Sequence, residues 1–79
     1  MQDRPPVVWL PSLDHGAHLL AWLLRDDGEW WAHLQVIHFV PDAGFGQRGT
    51  FYGWELTAHS SLIEQRAGWD YSGVPRRRT

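Results

Sequence analysis

The stretch that decides the fold is Glu29–Val40, which reads EWWAHLQVIHFV. In a β-strand, successive side chains point to opposite faces. One set of alternating positions is apolar and comprises Trp30, Ala32, Leu34 and Val36. The other set is mixed and comprises Trp31, His33 and Gln35. This alternation predicts a strand with one buried face, in which Trp30 points into the core and Trp31 faces water or a partner.

Further short apolar segments lie on both sides of this strand, at Val7–Leu10, Ala17–Arg25, Thr50–Ala58 and, briefly, Leu62–Glu64. Thr50–Ala58 shows the same alternation, and its apolar positions are Tyr52, Trp54, Leu56 and Ala58. Turn signals separate the segments, and Asp26-Asp27-Gly28 is the strongest of them. Short strands with turns between them predict an all-β sandwich or barrel.

Ala17–Leu24 is the ambiguous segment, because Leu and Ala are good helix formers and the run is compatible with a buried helix. Two features favour a strand. The run is short, and the tight turn Asp26-Asp27-Gly28 joins it to the well-alternating segment that follows. Five antiparallel strands with one polar face are expected to close into a small barrel, which removes exposed edges.

Residues 1–79 are expected to form one domain, since 79 residues suffice for a single small core. The Gly-rich segment Pro41–Gly49 is predicted to be a long flexible loop. Residues 66–79 are predicted to be a tail that packs back on the barrel through Trp69, Tyr71 and Val74. Its last residues are expected to be disordered.

The composition limits the classes of protein to consider. With no Cys, neither a disulfide nor a thiolate metal site is possible, and six Trp, three Phe and two Tyr are expected to strengthen a small core. The start of the chain, MQDRPPVVWLP, does not resemble a signal peptide, and Leu19–Leu24 is far too short to span a membrane. These features predict a cytoplasmic protein without a membrane partner.

Two stretches resemble a known family. The residues DDGEWWAH at positions 26–33 are similar to the acidic turn and tryptophan pair of SH3 domains, and GWELTAHSSLI at positions 53–63 is similar to their last strands around a 3₁₀ turn. The resemblance implies a five-stranded SH3-like barrel. It does not extend to the Pro-peptide groove, because Leu56 and His59 replace the family's Pro and Tyr. The WLP opening and the WDYSGVP close also resemble small actinobacterial proteins, which implies no activity.

The sequence does not predict an enzyme, a metal site or a cofactor. His15 and His18 form an H-x-x-H pair, and His33, His38 and His59 are the remaining histidines, but the Glu of an H-E-x-x-H motif is missing. Ser60, Ser61, His59 and Asp70 are residue types that hydrolases use, yet no nucleophile motif positions them.

The leading functional prediction is a protein-interaction module. Six Trp exceed what one small core easily buries, and Trp and Tyr are common interface anchors. The predicted binding patch comprises Trp31, Tyr52 and Trp54, with His33 and His59 at its rim. The partner is a protein of unspecified identity, and a second copy of the chain is one option.

The alternative prediction is a nucleic-acid-binding barrel that uses the basic C-terminal tip, Arg76, Arg77 and Arg78. Small barrels with exposed aromatic side chains can stack bases. Against this alternative, the net charge of the chain is −2, and no basic stripe is visible outside the tip.

Overall fold

The computed structural model describes residues 4–41 and 48–79. These residues form strands and one short 3₁₀ turn, so the all-β class is confirmed. The elements in chain order are β1 Val7–Leu10, β2 His15–Leu24, β3 Trp30–Pro41, β4 Gly49–His59, the 3₁₀ turn Ser60–Leu62, β5 Glu64–Gln65 and β6 Arg76–Arg78. The ambiguous segment Ala17–Leu24 lies within β2 and is therefore a strand.

The strands form one sheet with the order β4-β3-β2-β1-β5, and these neighbours are antiparallel. β6 lies beside the second half of β2 and runs parallel to it. The sheet is not closed: within the described residues, β4, β5 and β6 each pair with one strand only and remain edges. The prediction that the strands close and remove their edges is therefore wrong. β5 contains two residues, and it pairs with β1 alone among the described strands.

The core lies on one face of the sheet. Its fully buried large side chains are Val8, Leu10, Leu19, Leu34 and Val36. The predicted apolar face of β3 is confirmed at Ala32, Leu34 and Val36, but not at Trp30, which is 37% exposed. Trp30 is the first residue of β3, where it lines an open groove rather than the packed core.

A bulge interrupts the regular alternation of β2. The pairing with β3 shifts between Leu19 and Ala21, so that Leu19 lies opposite Leu34 and Trp22 lies opposite Ala32. A bulge places an extra residue in one strand and reverses the faces that follow it. This is why Leu19 and Trp22 both pack against the core although they are three positions apart.

The C-terminal segment packs back on the sheet, although not at every predicted residue. Val74 is buried in the core and Tyr71 packs against it, whereas Trp69 is 37% exposed. Arg76–Arg78 form β6 instead of a disordered tip, which corrects that prediction. The main chain secures the strand through Trp22 N–H donating to Pro75 O at 2.8 Å and Thr79 N–H donating to Leu24 O at 2.9 Å.

The turn between β2 and β3 has the predicted chemistry. Gly28 adopts a positive φ of 81°, a conformation that costs other residues free energy. The Asp27 carboxylate accepts a hydrogen bond of 2.9 Å from the Glu29 N–H. The other predicted loop, Pro41–Gly49, lies largely outside the described residues, which resume at Arg48.

The molecule is elongated, with principal extents of 50 × 28 × 20 Å. Its radius of gyration, 14.7 Å, exceeds the roughly 12 Å expected for a compact domain of this length. No helix in the described part of the chain has the length and apolar character needed to cross a membrane.

Candidate interaction surface

The elongation comes from the outer halves of β3 and β4, which extend beyond the rest of the sheet. β2 pairs with β3 no further than Gln35, whereas the ladder between β3 and β4 continues to the pair Pro41 and Gly49. We call residues 37–41 and 49–54 the arm. Within the described chain, the strands of the arm pair with no third strand.

Large apolar side chains are exposed along the arm. Six of them are between 39% and 70% exposed, namely Ile37, Phe39, Val40, Phe51, Tyr52 and Trp54. A monomeric soluble protein rarely exposes a continuous apolar patch larger than a few hundred Å². The arm is therefore the strongest candidate for a functional surface.

The exposed side chains lie on both faces of the arm. In the antiparallel ladder, Phe39 lies opposite Phe51, and His38 lies opposite Tyr52. Residues directly opposite share a face and consecutive residues alternate, so the two pairs lie on different faces. The rings of Phe39 and Phe51 are 4.9 Å apart between centroids, a favourable aromatic contact. A Cβ atom on Gly49 would clash with the main-chain oxygen of Val40 as well as with the Phe39 ring, so a side chain at this position does not fit.

The predicted binding patch is divided by the sheet. Tyr52 and Trp54 lie on the arm, on the face that continues the core face. Trp31, His33 and His59 lie on the opposite face, where Trp31 is the partner of His59 in the ladder. The structure therefore brings Tyr52 and Trp54 together, and separately Trp31, His33 and His59, but it does not bring all five into one patch.

Trp31 is half-buried by its own chain. The Arg25 guanidinium stacks over its ring at 4.2 Å, and the His59 ring meets it edge-on with centroids 5.4 Å apart. Its Nε1–H group is buried and lacks a hydrogen-bond partner in the described structure. Arg25 and His59 thus cover much of the ring that was predicted to face a partner.

His59 connects a hydroxyl to a carboxylate. Its Nδ1 lies 2.8 Å from Ser61 Oγ, and its Nε2 lies 3.2 Å from Glu29 Oε2. The Ser61 N–H also donates to Nδ1 at 3.2 Å, so the imidazole caps the 3₁₀ turn. Nδ1 therefore already accepts a hydrogen bond from the Ser61 main chain. This limits its capacity to take a proton from the Ser61 hydroxyl. On the same face, His33 Nε2 lies 3.3 Å from Glu55 Oε1.

An open groove of about 580 Å³ lies on the core side of the sheet, at the end opposite to the arm. Its aromatic walls are Trp22, Trp30 and Tyr71, and Arg76 contributes a guanidinium. Arg77 follows Arg76 along β6 and points to the other face by alternation. The structure therefore brings one of the three predicted nucleic-acid-binding arginines into this groove and directs the next away from it.

The histidines do not converge on one point. The rings of His15 and His38 are 6.4 Å apart, and His18 Nδ1 lies 2.9 Å from Pro5 O. Within residues 4–41 and 48–79, no three His, Cys, Asp or Glu side chains form a group that could hold a metal ion.

One carboxyl group has a clearly altered pKa. The Ser72 hydroxyl and then the Ser72 N–H donate to Asp70, and these bonds hold the pKa of Asp70 below its ordinary value of 3.8. Because Asp70 is fully exposed, this shift reflects a local turn rather than a reactive site.

The sequence-based prediction missed Ile37, Phe39, Val40 and Phe51. The signal that could have found them is the loss of alternation, since VIHFV at 36–40 has apolar residues at both odd and even positions. A strand that is apolar on both faces needs cover on both faces. β3 has twelve residues, and the core is too small to bury the side chains at its far end.

No family model matches the chain, and neither the curated proteins nor the solved structures contain a significant match to it.

Proposed function

We propose that this chain is a non-catalytic protein-interaction module whose binding element is the arm. The observation that carries the proposal is the exposure of large apolar side chains on both faces of a two-stranded ribbon. An isolated pair of strands is at best marginally stable in water, and added strands or packing against another element stabilise it. Binding a partner would bury these side chains and stabilise the ribbon.

The proposed framework for the arm is an SH3-like arrangement. Three features support it: the consecutive pairing of β2, β3 and β4, the 3₁₀ turn after β4, and the return of β5 to pair with β1. Of these, the 3₁₀ turn after β4 is the feature that the resemblance of positions 53–63 implies. On this framework, the arm is an extension of the third and fourth strands, and the Pro-peptide groove plays no part.

The proposed function can be tested by capture from a lysate of the native host with three immobilised proteins. They are the unmodified chain, Phe51→Lys on the arm, and Leu62→Lys on the 3₁₀ turn, where an exposed leucine serves as the matched control. We expect the unmodified chain and Leu62→Lys to retain the same proteins, and Phe51→Lys to lose them. Retention of the same proteins by Phe51→Lys would show that the arm is not the binding element.

The non-catalytic part of the proposal rests on the environment of Ser61. Its hydroxyl lies beside an imidazole, but both residues are accessible to water, and His59 already accepts the Ser61 N–H. A fluorophosphonate probe labels activated serine nucleophiles. We expect no labelling of Ser61, and labelling that disappears in His59→Gln would refute this part of the proposal.

A second candidate function, nucleic-acid binding, is favoured by one observation: Arg76 lies in the groove with Trp22 and Trp30. Rings that stack bases beside a guanidinium are typical of single-strand binding sites. The test is fluorescence anisotropy of a labelled single-stranded oligonucleotide at low and moderate salt. Binding that weakens with salt and is lost in both Trp30→Ala and Arg76→Gln would support this candidate, and no binding at low salt would exclude it.

A further inference from the structure

We propose that the occupant of the arm is a second copy of this chain, and that the two copies pair edge to edge through antiparallel β4 strands. This inference rests on the proposed function, because it identifies the partner for the same surface. It adds a twofold axis that passes through the arm-forming half of β4, near Phe51 and Tyr52.

The first argument is the free edge of β4. β3 pairs with one edge of β4, and no described strand pairs with the other, which leaves alternate N–H and C=O groups available. Natural edges are usually protected by Lys, Pro or inward-pointing charges. Residues 49–54 read GTFYGW and contain none of these. An identical strand running antiparallel supplies the missing partners, and a twofold axis relates two such strands.

The second argument is that apolar side chains lie on both faces of the arm. A partner stacked on one face would cover Phe51 or Tyr52 but not both, because these neighbours point in opposite directions. Pairing at the edge instead gives each of them a lateral neighbour on its own face. It also converts the two-stranded ribbon into a four-stranded one, which meets the condition for independent stability.

The third argument is charge. A twofold contact brings identical groups of the two copies close together, so a charged residue near the axis would repel its own copy. Residues 37–41 and 49–54 contain no Asp, Glu, Lys or Arg. The arm can therefore meet its own copy without placing like charges opposite each other.

The fourth argument is area. The large apolar side chains beside the free edge are Phe51, Tyr52 and Trp54 of β4, and their exposed parts amount to roughly 400 Å², taking ordinary side-chain areas of about 150–250 Å². A stable interface buries about 800 Å² on each partner. These side chains and the main-chain edge of β4 together provide the surface of an interface at the small end of the observed range, which fits a dimer of micromolar affinity.

The test uses opposite charges at one position of the purified chain. Phe51 is 70% exposed, so Phe51→Lys and Phe51→Glu leave the core intact, as circular dichroism of each variant will verify. Near a twofold axis, position 51 lies within reach of its own copy, directly or diagonally. Sedimentation is measured for the unmodified chain, each variant, their equimolar mixture, and Leu62→Lys as the control.

We expect the unmodified chain and Leu62→Lys to be dimers at about 100 µM, well above a micromolar Kd. Each charged variant alone should be predominantly monomeric, with dimerisation weakened by roughly 1,000-fold, a loss within the range of central anchors. The mixture should recover a dimer that contains one copy of each variant.

Several results would overturn the inference. A monomeric unmodified chain at this concentration would exclude the second copy, while a different protein could still bind the arm. A dimer that survives in Phe51→Lys would place the interface elsewhere and would leave the arm free for a different protein. Charged variants that remain monomeric after mixing, or a control that also dissociates, would rule out the twofold contact at Phe51.

Discussion

Removal of one hydroxyl group by Tyr71→Phe tests how the C-terminal segment is attached to the sheet. The Tyr71 hydroxyl donates to the Val7 main-chain oxygen in β1 and accepts from the Arg66 N–H at 2.7 Å. The variant keeps the ring and its packing against the core but leaves both main-chain groups without this partner. Only the hydrogen bonds change.

The expected cost follows from these two bonds. Each contributes about 1 kcal/mol, and Val7 O is only partly accessible to replacement water, so we expect a total loss of about 2 kcal/mol. In a domain of this size, that loss lowers the Tm by roughly 10 °C. Urea unfolding at one protein concentration should show a lower midpoint with an unchanged m-value.

The matched control is Tyr52→Phe, which removes the same atom from an exposed side chain on the arm. We expect it to change the free energy of unfolding by less than about 0.5 kcal/mol. If the two variants have equal stability, the hydroxyl of Tyr71 does not attach the segment, and the reasoning above is refuted.

Three further variants test the core and the turns. Leu34→Ala should lower the free energy of unfolding by about 2–5 kcal/mol in urea titrations, because Leu34 is fully buried; a loss below 1 kcal/mol would contradict its place in the core. Gly28→Ala should cost about 1 kcal/mol owing to the positive φ of Gly28, whereas Gly73→Ala, the control with open space around it, should cost less; equal effects would remove the conformational explanation. Ser72→Ala should raise the pKa of Asp70 towards 3.8, as followed by the carboxyl NMR shift against pH. Because the folded-state pKa of Asp70 is lowered, its pairing with Ser72 stabilises the protein above the unfolded pKa and loses this effect as the pH falls through the folded pKa. Ser72→Ala should therefore lose less stability in acid than the unmodified chain. An unchanged titration of Asp70 would refute the role of the hydroxyl.

The centre of the fold could be predicted from local patterns. The alternation at Ala32, Leu34 and Val36 identified the core face of β3, because a regular strand between two others buries every second residue. The sequence could not show how far along β3 and β4 this face stays buried. Trp30 and Trp54 lie on the same face as the core residues, yet both are exposed, because they lie beyond the packed centre of the sheet.

The long-range pairing could not be predicted. Arg76–Arg78 have no β-strand pattern, and they form a strand because the main chain of β2 offers unpaired groups beside them. Such pairing depends on backbone geometry far away in the chain and leaves no periodic signal nearby. The same limit applied to the predicted patch, which combined Trp31 with Tyr52 although the register of β3 and β4 places them on opposite faces.

The parallel pairing of β6 with β2 also has a consequence for biosynthesis. The second half of β2 is translated well before its neighbour β6, because a long stretch of chain separates the paired residues Trp22 and Arg76. Until then, a nascent chain has to carry the unpaired groups of Trp22 and Leu24. Folding dominated by such distant contacts is slow. Completion of the sheet therefore awaits the translation of β6, and a chain that stops before Arg76 leaves this side of β2 without a partner strand.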